Sequence, residues 1–354
     1  MLKQVQHDKW CSFMTFHETG KSKLYGIMEN TKNVSPYPLI LKPIFKEKPW
    51  GGRRLETLLG KNLPPDVPIG ESWELTIRPE EKSVIANGPL AGKTLFEVCA
   101  LYGISPFEDG RFPLLVKFID AQDTLSVQVH PDDRYVSLHE DTHDSGKNEM
   151  WHIIHAEPGS SIILGLKEGV TREAIRKALE DKSLENCLNT VPVTEGDTFF
   201  IPAGTVHTIG RGIVLAEIQQ NSDITYRLYD WDRVDKKENS RELHIEKALD
   251  VINFSSTGTK KIEEIITYEG KNEKRVLVNC PYFVSELLEI SEETVQKVSH
   301  NFSIFSILDG RLTIEFAREK VTALKGDTVF LPAGSDDYKL SPDIPSKILK
   351  TQSK

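Results

Sequence analysis

Cysteine is scarce in this chain and scattered: Cys11, Cys99, Cys187 and Cys280 stand far apart among 354 residues. That spacing excludes a disulfide framework and a Cys-type structural zinc site, and it makes a reducing cytoplasm the expected compartment. No local motif supports a cysteine nucleophile, so all four read as packing or surface residues. Positive charge is in deficit, with a formal net charge of −9, which argues against a nucleic-acid partner because phosphate neutralisation needs a Lys/Arg excess. It leaves room for a phosphorylated small molecule, which needs only one or two local cations. No apolar run approaches the roughly 20 residues of a membrane span, and the N-terminus lacks the apolar stretch and cleavage site of a signal peptide. Oligomeric state leaves no signal; a monomer is compatible with everything here.

What remains is an ordinary globular composition, 38% hydrophobic and 27% charged, in a chain long enough for two or three lobes. Residues 1–36 are polar and aperiodic and read as a poorly ordered N-terminal extension ending at Pro36-Tyr37-Pro38. From Leu39 onward, strand-like runs such as Leu39–Leu41 and Trp73–Ile77 alternate with Gly, Pro and Asp turns, the pattern of sandwiches and barrels. Helical spacing is confined to Lys93–Tyr102, to Thr171–Leu188 with Thr171 as its cap, and to His244–Ile252.

An internal repeat organises the rest. Gly196-Asp197-Thr198-Phe199-Phe200-Ile201-Pro202-Ala203-Gly204 recurs as Gly326-Asp327-Thr328-Val329-Phe330-Leu331-Pro332-Ala333-Gly334. Each copy reads as a tight turn, an inserted strand and a second turn. Upstream hairpin cues match as well: Glu157-Pro158-Gly159 before Ser161–Leu164, and Leu308-Asp309-Gly310 before Leu312–Phe316. Two homologous β-barrel halves follow. The first copy continues to His207, whereas the second has Asp337 at that position. One metal in one half would produce that asymmetry. Alone, His207 reads as a hydrogen-bonded core or turn histidine.

It has company. In Leu125–Asp133, alternation sends Ser126, Gln128 and His130 to one face and Val127 and Val129 to the other, marking either a solvated face or a site. Lys147-Asn148-Glu149-Met150-Trp151 then enters a second strand through the polar loop Asp141–Gly146, with Glu149 and Trp151 sharing a face. Two histidines, a glutamate and an amide oxygen form a donor set suited to zinc, and also to iron or cobalt. His139, His143, His152 and His155 read as surface or outlying residues.

The pattern Gly196-(x5)-Pro202-x-Gly204-x2-His207 is similar to the second motif of the cupin superfamily, with Arg211 in place of its terminal asparagine. The first cupin motif is present in altered form, Gln128-x-His130 replacing His-x-His, with a long insertion before Glu149. With Pro49-Trp50-Gly51-Gly52, Gly70–Glu74, Pro113–Asp120, Gly146–Trp151 and Glu217–Asp230, the chain resembles the type I mannose-6-phosphate isomerases over about Leu39 to Trp231, and more thinly beyond.

That resemblance implies a mainly β protein of two cupin-type jelly-roll barrels, the second degenerate, with a small helical insertion around 171–188. The expected domains are 37–235, catalytic, and 236–354, the degenerate partner. The resemblance further implies one Zn2+ per chain on Gln128, His130, Glu149 and His207, and interconversion of mannose 6-phosphate and fructose 6-phosphate through a cis-enediol. Arg227 matches an active-site arginine; by pattern alone it reads as half of an ion pair with Asp230 or Asp232. Ser126 and Lys117 match positions near the sugar phosphate. Glu217, Lys147 and a metal-bound water stay open as the base. Glu217, on a half-apolar strand, reads either as a carboxylate of raised pKa or as a surface glutamate with a neighbouring cation. Trp50 and Trp73 read as packing residues. The rival functions are another metal-dependent cupin enzyme such as a dioxygenase, and a non-catalytic bicupin that binds sugar or serves as a scaffold.

Overall fold

The computed structural model describes residues 34–104, 112–140, 144–234, 238–255, 261–297, 301–334 and 337–354. Most of the expected N-terminal extension therefore lies outside the described residues, as do Cys11, His143, Asp141–His143 of the polar loop, and Ser335 and Asp336. The protein is mainly β, with cupin-type domains. None of the described helices is long and apolar enough to cross a membrane.

Two antiparallel sheets face one another in the first half. One runs in the order Thr198–Ile201, Glu149–Ala156, Ile213–Gln220, Leu114–Ala121, Ile69–Leu75, Ile44–Gly52; the other Tyr226–Tyr229, Val127–Val129, His207–Ile209, Ser161–Leu166, Leu188–Pro192. The central strands Leu114–Ala121 and Ile213–Gln220 are buried along their whole length. Both of their faces are covered, which is why they read as continuous apolar runs interrupted by isolated polar residues. Ile119, Trp151, Ile153, Phe199 and Leu215 meet Ile162, Leu164 and Ile209 between the sheets. Val116, Phe118, Met150, Ala216 and Ile218 turn the other way, onto a core shared with Leu277, Phe283, Phe302, Ile304 and Phe330 of the second half. Val127 and Val129 lie in a third cluster beneath helices Arg172–Glu180 and Ile245–Val251.

The second half is a ten-stranded sheet built around the long strands Ser303–Phe316 and Asp337–Ser353, enclosing Leu288, Phe305, Ile314, Val329, Tyr338 and Ile348. Its order ends with strands from the start of the chain: Leu39–Lys42 pairs with Thr328–Leu331, Leu39 opposite Phe330. A buried ion pair reinforces this seam. Lys61 Nζ donates to Glu74 Oε2 at 2.7 Å and to the Gly326 carbonyl at 2.5 Å, and Thr328 Oγ1 donates to the same carboxylate oxygen at 3.0 Å.

The sequence repeat is a structural repeat down to its hydrogen bonds. Gly196 and Gly326 both take left-handed backbone, φ 87° and 88°, which only glycine adopts cheaply. Gly196 donates to Ile153 O and Gly326 to Ile307 O, and each following aspartate receives the amide of the residue three back, Thr194 or Leu324.

Two local expectations are corrected. The segment Thr171–Leu188 is not one helix: with Thr171 as its cap it ends at Glu180, Lys182 turns left-handed at φ 52°, and Leu184–Cys187 is a separate 3-10 turn. Leu308-Asp309-Gly310 is no hairpin. The strand Ser303–Phe316 runs through it with shifts of register, Gly310 at φ 92°, as at a bulge. The reversal comes at Ala317-Arg318, φ 51° and 70°, a two-residue turn lacking the usual Asn-Gly signal.

Candidate metal centre and active site

Neighbouring strands of the five-stranded sheet bring the site together. His207 is directly opposite Gln128, and Gln128 opposite Arg227, so their side chains share the inner face. Glu149 enters from the facing sheet. Nε2 of His130 lies 3.6 Å from Glu149 Oε2, and Nε2 of His207 lies 3.5 Å from Glu149 Oε1. The donor atoms of His130, Glu149 and His207 all lie within 4.8 Å of one another, and the three residues are buried. Gln128 Nε2 is 3.2 Å from His207 Nε2 and its Oε1 3.4 Å from Ser126 Oγ. Turning that amide over presents Oε1 to the cluster and leaves Nε2 to donate to the serine.

These residues fit a cation. Nδ1 of His130 is held by Ile224 O and Nδ1 of His207 by Thr205 O, both at 2.8 Å, so Nε2 of each ring carries the lone pair and faces the cluster, as in metal-binding imidazoles. Burial holds both histidines below their ordinary pKa, His207 down to about 4, hence neutral and able to ligate. Both carboxylate oxygens of Glu149 are buried without a hydrogen-bond donor. Burial raises its pKa, a cost that a divalent cation would reverse. Lys147 Nζ, 2.9 Å from Glu149 Oε2 and 3.1 Å from His130 Nε2, approaches as a charge.

On the sheet that carries Glu149, the row Trp73, Lys117, Glu217, Trp151 crosses four strands. Lys117 Nζ bonds Glu217 Oε1 at 3.0 Å, and Trp151 Nε1 donates to Glu217 Oε2 at 3.0 Å. Trp151 stands edge-on to His207, ring centres 5.4 Å apart, linking this row to the cluster. Of the two readings of Glu217, the neighbouring cation is present as Lys117, although the pair is buried and not at the surface, and the raised pKa is corrected. Burial pushes it up, but Lys117, Lys147 and the two donated hydrogen bonds outweigh that and hold it below the ordinary carboxylate range. The strand is buried on both faces, so the lysine is confined beside it.

Arg227 forms no ion pair among the described residues: Asp230 pairs with Arg233 and Arg241, and Asp232 with Lys182. The reading of Arg227 as half of an ion pair is thereby corrected. Its guanidinium donates to Glu242 O at 2.9 Å while Nε stays buried without an acceptor.

His152, expected at the surface or outlying, is instead buried on the far face of its strand with Nδ1 2.9 Å from Thr198 Oγ1. His139 is exposed and His155 half-buried. Trp50 packs between the sheets, and Trp73 donates to Glu71 Oε2 at 2.7 Å. A cavity of about 320 Å3 beside Thr208, Arg211 and Trp231 contains none of the site residues.

Sequence reasoning missed Glu71, Asp133, Asn148 and Gln220. A polar residue inside an apolar strand was the available signal for Gln220, as it was for Lys117.

Comparison with known proteins identifies the family. The profile of phosphomannose isomerase type I, catalytic domain, matches residues 39–148, and that of the mannose-6-phosphate isomerase cupin domain matches residues 273–344. Mannose-6-phosphate isomerase ManA of Bacillus subtilis is 37% identical over 86% of this chain and 95% of its own length. The chain belongs to the type I phosphomannose isomerase family. The mannose-6-phosphate isomerase of Streptococcus mutans is 36% identical over 87% of this chain and 96% of its own. A crystal structure of the Bacillus subtilis mannose 6-phosphate isomerase superposes with a TM-score of 0.80 at 31% identity, covering 89% of this chain and 99% of that one. A variant of the Salmonella typhimurium phosphomannose isomerase, at 15% identity, shares the fold with a TM-score of 0.69 over 90% of this chain and 99% of its own. Within this family frame, the buried histidine–glutamate cluster is the candidate metal centre.

Proposed function

We propose that this chain is a zinc-dependent isomerase that interconverts mannose 6-phosphate and fructose 6-phosphate through a cis-enediol intermediate. The observation that carries the proposal is the convergence of the buried donor atoms of His130, Glu149 and His207 within 4.8 Å of one another, beside Gln128 and Arg227. It is supported by family membership and by relatives named as mannose-6-phosphate isomerases. Gln128, His130, Glu149 and His207 would hold one zinc per chain, which supplies a Lewis acid for negative charge developing on the sugar's O1 and O2.

The remaining chemistry belongs to the chain. Arg227, without a carboxylate partner among the described residues, lies one strand from Gln128 and would steady an enediolate oxygen. Lys147 lies against both His130 and Glu149 and can donate to a substrate oxygen there. Glu217 is ionised at neutral pH and fixed by two donors, and alongside Lys147 and a metal-bound water it is a candidate to take a proton from carbon. Lys117, bonded to Glu217, would be the cation that this carboxylate shares with the sugar phosphate. When a phosphate shares the Lys117 ammonium, Glu217 loses part of the charge that suppresses its basicity, so substrate binding itself activates the base. Ser126 completes the donor set beside Gln128. On this reading residues 37–235 carry the chemistry and 236–354 the support.

A coupled assay on mannose 6-phosphate, with and without chelator and beside metal analysis, tests the proposal. Turnover that disappears on chelation and returns with zinc is the expected result; no turnover, or turnover indifferent to chelation, would sink it.

A further inference from the structure

The segment Gly146-Lys147-Asn148 delivers Lys147 and Glu149 to the centre, and each of its backbone amides has a fixed acceptor. Gly146 N donates to Asp133 Oδ1 at 2.8 Å, Lys147 N to Pro131 O at 2.9 Å, and Asn148 N to Gln220 Oε1 at 3.0 Å. Gly146 is pressed against the start of helix Asp133–His139: a Cβ there would sit 2.4 Å from the Asp132 carbonyl carbon and the Asp133 nitrogen. The two side-chain acceptors are joined, because Gln220 Nε2 donates to Asp133 Oδ1 at 3.1 Å. Gln220 Oε1 also receives Asn148 Nδ2 at 2.7 Å, while Asn148 Oδ1 receives Ala203 N at 3.0 Å. The network therefore reaches the Pro202-Ala203-Gly204 turn that leads to His207.

One further donor enters from the other half of the molecule. Tyr282, at the head of strand Phe283–Ile290, donates its hydroxyl to Asp133 Oδ2 at 3.0 Å, its ring packed against the core between the halves. Burial, then the charge of Asp133, pushes the phenol up to about 12, so it remains a donor at neutral pH. The second half has no His/Cys/Asp/Glu cluster suited to a metal among the described residues, yet it touches the support of the first.

We propose that Tyr282 is a positioning residue for the metal centre: through Asp133 and Gln220 it fixes the Gly146–Asn148 segment, so that the metal-free half sets the geometry of Lys147 and Glu149. The kinetic part of this rests on the isomerase reading; the metal-binding part does not.

The experiment compares full-length wild type, Tyr282→Phe, Asp133→Ala and their double variant by zinc affinity against a competing chelator, by kcat and KM on mannose 6-phosphate, and by Tm. Tyr338→Phe is the control, because that hydroxyl bonds Gln296 wholly within the second half. Tyr282→Phe should weaken zinc binding and lower kcat by roughly threefold to tenfold, the worth of one ordinary hydrogen bond, since this one is exposed to solvent. KM should stay within about twofold, as expected when positioning rather than substrate binding is lost. Tyr338→Phe should lower Tm and leave both zinc affinity and kcat alone, and the double variant should be no worse than Asp133→Ala. Unchanged zinc affinity in Tyr282→Phe, or losses that simply add in the double variant, would overturn the proposal. If wild type binds zinc but does not isomerise the sugar, the zinc arm still decides it, so the two readings fail separately.

Discussion

Arg227 stands directly opposite Gln128 across an antiparallel strand pair, and Gln128 opposite His207 on the next strand. A cation, an amide and an imidazole thus lie in a row on the inner face of one sheet. The arginine has no carboxylate to neutralise it among the described residues.

From that row, Arg227→Ala should keep its metal and lose turnover. Removing one charged stabiliser of a developing anion typically costs about 10²–10³ in kcat. Lys cannot reproduce the planar fork, so Arg227→Lys should recover only part of the loss. Metal content and kcat measured on the same preparations check this; metal loss in Arg227→Ala would place the residue in the cluster's support instead.

Chelation should destabilise the protein as well as silence it, because removing the cation leaves the buried Glu149 carboxylate with Lys147 as its one close positive charge among the described residues. A ligand at a thousand times its dissociation constant contributes about 4 kcal/mol to the folded state. Tm should therefore fall by several degrees with chelator and recover with zinc. In His207→Ala that chelator-dependent difference should vanish; a persistent difference would move the metal elsewhere.

Lys117 and Glu217 make a pH-dependent prediction. Glu217 has a lowered folded pKa and Lys117 a raised one. The carboxylate's contribution is therefore present above the unfolded carboxylate range and lost as pH falls through the lowered folded value. The ammonium's contribution is present below the unfolded lysine value and lost as pH rises through the raised folded value. Between roughly pH 4.5 and 10 both are in place. Lys117→Met leaves a buried, unpaired carboxylate, which costs about 3–5 kcal/mol. The deficit should shrink below that window as Glu217 takes up a proton, and Glu217→Gln should rescue much of it. Denaturant melts at pH 7 and pH 4 are the check; a deficit that does not change with pH would contradict the pairing.

At the seam between the halves, Lys61→Met should leave the Glu74 carboxylate buried without its counter-charge, held by the Ser72 and Thr328 hydroxyls. The expected cost is again about 3–5 kcal/mol, with zinc affinity in the folded protein unchanged, since Lys61 contacts no ligand. A fall in zinc affinity without a fall in stability would show the seam to be part of the site.

Much of this was legible in the residues. Alternation in Ser126–His130 assigned the inner face correctly because the valines between them are apolar and pack under helices. The Gly-Asp repeat revealed two halves because a left-handed glycine and its capping aspartate are local requirements. What was not legible depends on residues brought together from far apart. Nothing near Glu217 announces that Lys117 will lie beside it, and so a raised pKa and a cation-paired carboxylate both stay open in the sequence. The turn at Ala317-Arg318 carries no turn residues and was invisible for that reason. Asp133 and Tyr282 acquire meaning only once helix, loop and second half have assembled around Gly146.

Leu39 finds its partner in Phe330, so the first described strand waits through nearly the whole of synthesis for the sheet it completes. Until then its backbone donors and acceptors are an open edge on a newly made chain. Such long-range closure makes for slow, late-committing assembly. It also means that no cut between the halves leaves either with all its strands, so a chain shortened at its C-terminus loses the partner of its own beginning.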